Sequence, residues 1–327
     1  MNAGPVNPQA VDPIVAQSEA AIREGSKSFA GAAKLLAPDV RESVVQLYAW
    51  CRYCDDVIDG QTLGHDADAD EAGSESRLVT LREQTQLAID GGKVDGVFAA
   101  LQRVVQRHGI PGQHPHELLD GFAMDVSGRA YESREDVLEY CYHVAGVVGV
   151  MMAQIMGAKG DDALHRACDL GLAFQLTNIC RDVVDDAELG RVYLPLDRLA
   201  AAGVPVSGVR AEQLAAAVAD PAHRAAVYRV AQELLAEADR YYASAREGLR
   251  ALPPRSAWSI AAARRIYADI GAVVRSRGER AWDERAVVTK GRKVSGALLA
   301  GLDALRARTV DQLVKPVPRG DLWRRPT

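Results

Sequence analysis

Apolar residues recur every three to four positions from Ile14 almost to Leu313, and strand-type alternation is nearly absent. A 3.6-residue period predicts helices. The segments carrying it are 14–24, 27–36, 40–59, 75–90, 93–108, 115–126, 134–157, 161–186, 195–201, 210–218, 222–250, 256–277 and 293–313. So many helices with no strand among them predict an all-α, single-domain, multi-helix bundle around one core, spanning 14–313. The pattern lapses in three places. Residues 1–13 hold three prolines and are expected to be a disordered N-terminal end. Residues 314–327, with Pro316, Pro318 and Pro326, are expected to be a basic tail and a second loose end. Gly60–Ser76 reads GQTLGHDADADEAGSES, small and acidic, which predicts a mobile loop directly after Asp59.

Composition narrows the function. Apolar residues are 48% of the 327 and charged residues 25%, as in a soluble globular protein with a sizeable core. The net charge of −5 argues against duplex DNA as a partner, and no nucleic acid is expected. The charge is uneven: from Arg285 to Thr327 there are ten basic and three acidic residues, a surplus that can meet anionic lipid or a polyanionic substrate. Five cysteines, Cys51, Cys54, Cys141, Cys168 and Cys180, are no disulfide framework and suggest a reducing cytoplasm. The Cys51–Cys54 CxxC lies in helical sequence without a second such pair, so buried thiols are expected rather than a zinc or redox centre. The N-terminus lacks the basic and apolar regions of a signal peptide. Tyr140–Ala158 is uncharged, but His143, Gln154 and its glycines make it a core helix rather than a span of about 20 apolar residues.

Two helices carry unusual polar faces. In LYAWCRYCDDVIDG, residues 47–60, Tyr48, Arg52, Asp55 and Asp59 fall on one narrow face, with Asp56 to the side. In LGLAFQLTNICRDVVDD, residues 170–186, Gln175, Asn178, Asp182 and Asp186 share a face, flanked by Arg181 and Asp185. Both helices are otherwise apolar, and buried carboxylates are costly unless paired or bound to metal. A solvated stripe with an Arg–Asp pair would explain one such face better than two. Facing ladders would repel unless a cation lay between them. Oxygen-only ligands select hard cations, and Mg²⁺ commonly binds carboxylates together with substrate phosphates. A Mg²⁺-bridged diphosphate is therefore the natural guest, with Arg52, Arg181 and Lys27 able to take its remaining oxygens. No P-loop or Rossmann glycine pattern offers another phosphate site.

In YHVAGVVGVMMAQIMG, residues 142–157, small residues recur every four positions at Ala145, Gly149, Ala153 and Gly157. Such a side permits close helix packing, or leaves room for a long apolar chain with Val147, Val148, Met151 and Met152 as walls. Tyr142 could bring its ring or hydroxyl near the polar end.

These stretches resemble the squalene/phytoene synthase family of isoprenoid transferases, and look most like the phytoene synthases of bacterial carotenoid pathways. The resemblance runs from about Gly25 to Trp323 and is carried by GSKSFA at 25–30, LYAWCRYCDDVIDGQTLG at 47–64, GFAMDV at 121–126, YCYHVAGVVGVMMAQIMG at 140–157, ACDLGLAFQLTNICRDVVDDAELGRVYLP at 167–195, RSAWSI at 255–260 and AWDERA at 281–286. It implies an isoprenoid-synthase bundle with a central apolar channel, Ala145, Gly149, Met152 and Ala153 along it. It implies that Asp55, Asp59, Asn178, Asp182 and Asp186 hold two or more Mg²⁺ ions, or Mn²⁺, bridging substrate diphosphates. Ser26, Lys27, Ser28, Tyr48, Arg52, Gln175, Arg181, Tyr267 and Arg285 match diphosphate and substrate contacts, and Tyr142 matches a tyrosine near the reacting carbons. The loop after Asp59 resembles the family's flap. Gly25 departs from relatives with His before Ser-Lys-Ser.

The implied reaction is head-to-head condensation of two geranylgeranyl diphosphates through prephytoene diphosphate to phytoene, without NADPH. Diphosphate, Tyr142 and a carboxylate are equal candidates for the final base. The implied location is the cytoplasm, with peripheral membrane contact and downstream carotenoid enzymes as partners. Rival readings are a squalene or dehydrosqualene synthase using farnesyl diphosphate, a terpene cyclase, since DDVID also reads as DDxxD, and a non-catalytic helical scaffold.

Overall fold

The computed structural model describes residues 14, 18, 20, 27–60 and 71–326, and among them there is helix but no strand. The helices are α1 (Lys27–Ala33), α2 (Pro38–Ile58), α3 (Glu71–Ile89), α4 (Gly96–His108), α5 (Gln113–Val126), α6 (Arg134–Cys141), α7 (Val147–Ile155), α8 (Asp161–Glu188), α9 (Leu196–Ala201), α10 (Ala211–Ala219), α11 (Arg224–Gly248), α12 (Pro254–Arg277) and α13 (Lys290–Arg308). The chain is all-α, as its periodicity requires. The expected disordered end at 1–13, most of 14–24, Ser26, and loop residues 61–70 lie outside the described residues.

The 28-residue α8 is the axis of the bundle and packs against α11, α7, α12 and α10. Its first turn carries Asp161 and Asp162, which complement the positive end of the helix dipole. Along its length Cys168, Leu172, Leu176, Ile179 and Val183 are buried at three- and four-residue spacing. In α2, Pro38 opens the first turn, where its missing N–H costs nothing, and Val44, Leu47, Trp50, Cys54 and Ile58 face the core. The cysteines are free thiols, four of them buried, consistent with a packing role for the CxxC.

The predicted single helix over 134–157 is three pieces. A π-helical turn, Tyr142–Gly146, separates α6 from α7, with the Val147 N–H bonded back to the Tyr142 carbonyl. Backbone contact with α8 surrounds this turn. A Cβ on Gly171 would sit 2.3 Å from the Ala145 carbonyl oxygen, and one on Gly149 would sit 2.5 Å from that of Ala167. Glycine at both positions lets the helices approach closer than side chains allow. The predicted helix 293–313 also divides: α13 stops at Arg308, and Val310–Leu313 is a 3-10 turn.

The tail after Leu313 is not a loose end. Arg319 makes two hydrogen bonds to the fully buried Asp169, at 2.6 and 2.8 Å, and Arg166 donates to the Val317 carbonyl. Leu322 and Arg325 are buried, and the Trp323 ring lies 5.5 Å from that of Tyr142. Proline content alone does not signal these contacts, which depend on a buried carboxylate supplied by α8.

Candidate functional site

Each acidic segment ends where a glycine stops its helix. Asp59 caps α2, and Gly60 follows with φ 65°. At the end of α8, Gly190 takes φ 79°, its N–H bonds to the Ala187 carbonyl, and the Arg191 N–H bonds to that of Asp186. This left-handed stop turns the chain back on itself. It delivers the Arg191 side chain to Asp59, Nη2 to Oδ1 2.7 Å. Asp59 and Asp186 thus sit at the negative ends of helix dipoles, where a carboxylate is unfavourable without a nearby cation.

Between the segments lies a cavity of about 560 Å³. Its polar wall includes Tyr48, Arg52, Asp55, Gln175, Asn178, Arg181, Tyr267 and Arg285. Its apolar wall includes Ala145, Val148, Gly149, Met152 and Ala153, and it extends to Leu249 and Leu252. The four channel residues expected from sequence all line it. Gly149 also meets the α8 backbone, so the small-residue side both packs a helix and bounds the cavity. Arg166 lines the cavity too, its guanidinium tied to Asp162, Ser244 and Val317. Tyr267 stacks on Phe174 with centroids 4.1 Å apart.

The carboxylates are held by arginines. Arg52 bridges Asp55 at 3.0 Å and Asp56 at 2.7 Å. Arg181 pairs with Asp182, and Arg285 reaches the same carboxylate at 3.1 and 3.2 Å. Burial works to raise the Asp182 carboxyl, but these two guanidiniums outweigh it and hold the group below the usual carboxylate range. Asp55 and Asp186 go the other way, both pushed up to about 7 by burial and by neighbouring aspartates that their arginines do not fully offset. The Asp55 side chain is still 43% exposed, so its charged form remains open to a ligand entering from solvent.

Asp59, Asp182 and Asp186 do not themselves line the cavity; they stand behind its polar rim. Tyr142 lies elsewhere. It is fully buried, and its hydroxyl donates to Glu117 at 2.8 Å, a carboxylate that His114 Nδ1 also approaches at 3.0 Å. The π turn adds residues per turn and rotates Tyr142 off the line of Ala145 and Gly149. Lys27 and Ser28 fall in the first turn of α1, with side chains outside the described residues.

Two charged residues bonded into this site, Asp125 and Arg191, are among those absent from the expected set. Asp125 lines the cavity and accepts from Tyr140 at 3.1 Å and Tyr193 at 2.9 Å. Burial pushes its carboxyl up to about 6 against those hydrogen bonds and the Arg191 charge. Arg191 is the other. Their stretches, GFAMDV and GRVYLP, are visible in sequence, but a single Asp and a single Arg carry no spacing signal.

The donor set fits a hard divalent cation. Asn178 Oδ1 is a buried carbonyl oxygen with no hydrogen-bond partner, and the aspartates supply only oxygen. Among the described residues, no three His, Cys, Asp or Glu side chains already converge on one point; three of the aspartates are turned onto arginines.

Residues 22–292 match the squalene/phytoene synthase family. A 15-cis-phytoene synthase of a Paracoccus species is 50% identical over 314 residues, covering 96% of this chain and 98% of that one. A 15-cis-phytoene synthase of Pantoea ananas is 48% identical over 92% of this chain and 94% of its own. Among solved structures, a dehydrosqualene synthase with bound ligand is 27% identical, with a TM-score of 0.76 over 88% of this chain and 95% of that one.

Proposed function

The chain belongs to the squalene/phytoene synthase family, and from that premise we propose that it condenses two geranylgeranyl diphosphates head to head into phytoene. It is a prenyltransferase of the phytoene synthase type. The observation that carries the substrate reading is one cavity with two unlike ends: a rim of Arg52, Arg181, Arg285, Asp55 and Asn178, and a deep apolar wall from Ala145 to Leu252. A diphosphate suits the rim, and a prenyl chain suits the wall.

Asp55, Asp59, Asn178, Asp182 and Asp186 would hold Mg²⁺ or Mn²⁺. When bound, such ions neutralise diphosphate charge and so make it a better leaving group. The chain's own groups do the rest. Arg52, Arg181 and Arg285, now paired with aspartates, would be free to bind diphosphate oxygens where those carboxylates served as metal ligands. Departure of the first diphosphate leaves an allylic cation; the second molecule's double bond attacks it, and loss of a proton from the resulting cation closes the cyclopropane ring of prephytoene diphosphate. That intermediate loses its diphosphate in turn, rearranges and gives up a proton. Val148, Met152 and Phe174 keep water from these cations, and the Tyr267 ring, stacked on Phe174, offers them a π face. No step needs a hydride, and NADPH has no role in the proposal.

The proposed setting is the cytoplasm, with peripheral contact to a membrane and hand-over of product to later carotenoid enzymes. No helix among the described residues is long and apolar enough to cross a membrane. The decisive test is purified protein with Mg²⁺ and geranylgeranyl diphosphate in the absence of NADPH. Phytoene and released diphosphate that vanish with EDTA are expected. A squalene-type product from farnesyl diphosphate alone would overturn the substrate assignment, and turnover of neither would favour a cyclase or a scaffold.

A further inference from the structure

Helix α13 is amphipathic in reverse. Its inward side is Gly296, Ala300, Ala304 and Ala307. Its outward side carries Val294, Leu298, Leu302 and Leu305, which are 62%, 68%, 63% and 61% exposed. At 100° per residue these four fall within about 80° of one another. Beyond the helix end, Leu313 and Val317 are likewise 86% and 63% exposed. A helix that buries alanines and presents leucines leaves most of its transfer free energy unused.

The border of this face is cationic. Lys290, Arg292, Arg306, Arg308 and Lys315 are exposed, and between Arg285 and Gly320 no acidic side chain is. Asp303 is turned onto Arg264 and Arg265, and Asp311 is buried beside Arg306. We propose that this face of α13 docks on the surface of an anionic lipid bilayer, the helix lying in the interface plane. A second copy of the chain fits worse. A two-fold contact sets a patch against itself, and here that would press the cationic border onto its own image. Anionic headgroups complement the border, while the acid-rich remainder of a chain of net charge −5 orients away. The inward side of α13 packs on α12, which contributes Ile260 and Tyr267 to the cavity. If the proposed reaction holds, the docked face therefore backs the wall past which a lipid substrate and product exchange with the bilayer.

The test floats the full-length protein with vesicles of phosphatidylcholine, alone or mixed with phosphatidylglycerol, at low and raised salt. Binding to the mixed vesicles that weakens in salt is expected. Leu298→Glu with Leu302→Glu should lower it about tenfold or more, with an unchanged thermal melt by circular dichroism. Leu298→Ser with Leu302→Ser removes the apolar surface without adding charge and should also release the protein. Lys290→Gln with Lys315→Gln should flatten the salt dependence. Undiminished vesicle binding by the leucine variants, no binding by the wild type, or a dimer that the same variants dissociate would each overturn the proposal. Flotation is read without turnover, so it stands or falls separately from the catalytic assignment.

Discussion

Arg191 and Asp59 form a 2.7 Å ion pair that joins the ends of the two acidic helices. Arg191 follows the glycine stop of α8, and Asp59 caps α2 just before its own glycine, so the pair sets the spacing of the two carboxylate ladders. Arg191→Ala is expected to lower kcat about tenfold and raise KM for the diphosphate, because misplaced ligands cost rate even when present. Arg191→Lys should recover part of the loss. Steady-state kinetics at saturating Mg²⁺ checks both.

Asp182 is held in its charged form by Arg181 and Arg285 together. Asp182→Asn keeps the shape and removes the charge. Turnover should fall by about 10³-fold, with weaker Mg²⁺ binding by calorimetry and an unchanged far-UV spectrum. Activity within a few-fold of wild type would remove Asp182 from the metal site.

Stability should depend on pH in a direction set by Asp55 and Asp186, both raised to about 7. A carboxyl raised on folding favours the protonated folded state, so its contribution is complete below the unfolded value near 3.8 and is lost as pH climbs through about 7. In EDTA the Tm should therefore fall by a few degrees between about pH 5 and pH 8. Asp55→Asn with Asp186→Asn should flatten that slope. Mg²⁺ should reverse it, since metal binding requires the deprotonated form. A Tm in EDTA that rises over this interval would contradict the assignment.

Gly171→Ala would place a methyl group 2.3 Å from the Ala145 carbonyl oxygen, and neither backbone can yield cheaply. The expected loss is about 3 kcal/mol, read by urea unfolding. Both residues line the cavity, so a shift in the prenyl chain lengths accepted should accompany it. Gly157→Ala makes a contrast: no atom lies within 4 Å of its Cβ, and its cost comes from φ 85° alone.

The tail is expected to be part of the folding unit. Arg319→Ala leaves Asp169 fully buried with only Ser244 to donate to it, at a cost of about 3 kcal/mol. Deletion from Val317 onward should act similarly in a thermal melt, because it also uncovers Tyr142 where Trp323 rests.

The helices, their apolar faces and the two carboxylate ladders were legible from sequence, because each depends on neighbours within two or three turns. Asp55 and Asp59, like Asn178, Asp182 and Asp186, declare themselves by spacing on one apolar helix. The same faces include Tyr48 and Gln175, and the family resemblance extended the reading to Tyr267 and Arg285; all four line the cavity. What spacing could not carry were contacts between distant segments. Arg191 meets Asp59 across 132 positions, and Arg319 meets Asp169 across 150. Asp125 is drawn into the site by Tyr140 and Tyr193 from two other elements. The π turn that directs Tyr142 to Glu117 interrupts what periodicity reads as one helix, where Gly146 and Gly171 bring two backbones together. Local periodicity is a property of one helix face and can be counted. The pairing of lone charges and the close approach of glycines depend on which helices become neighbours, and that is decided when the whole core packs.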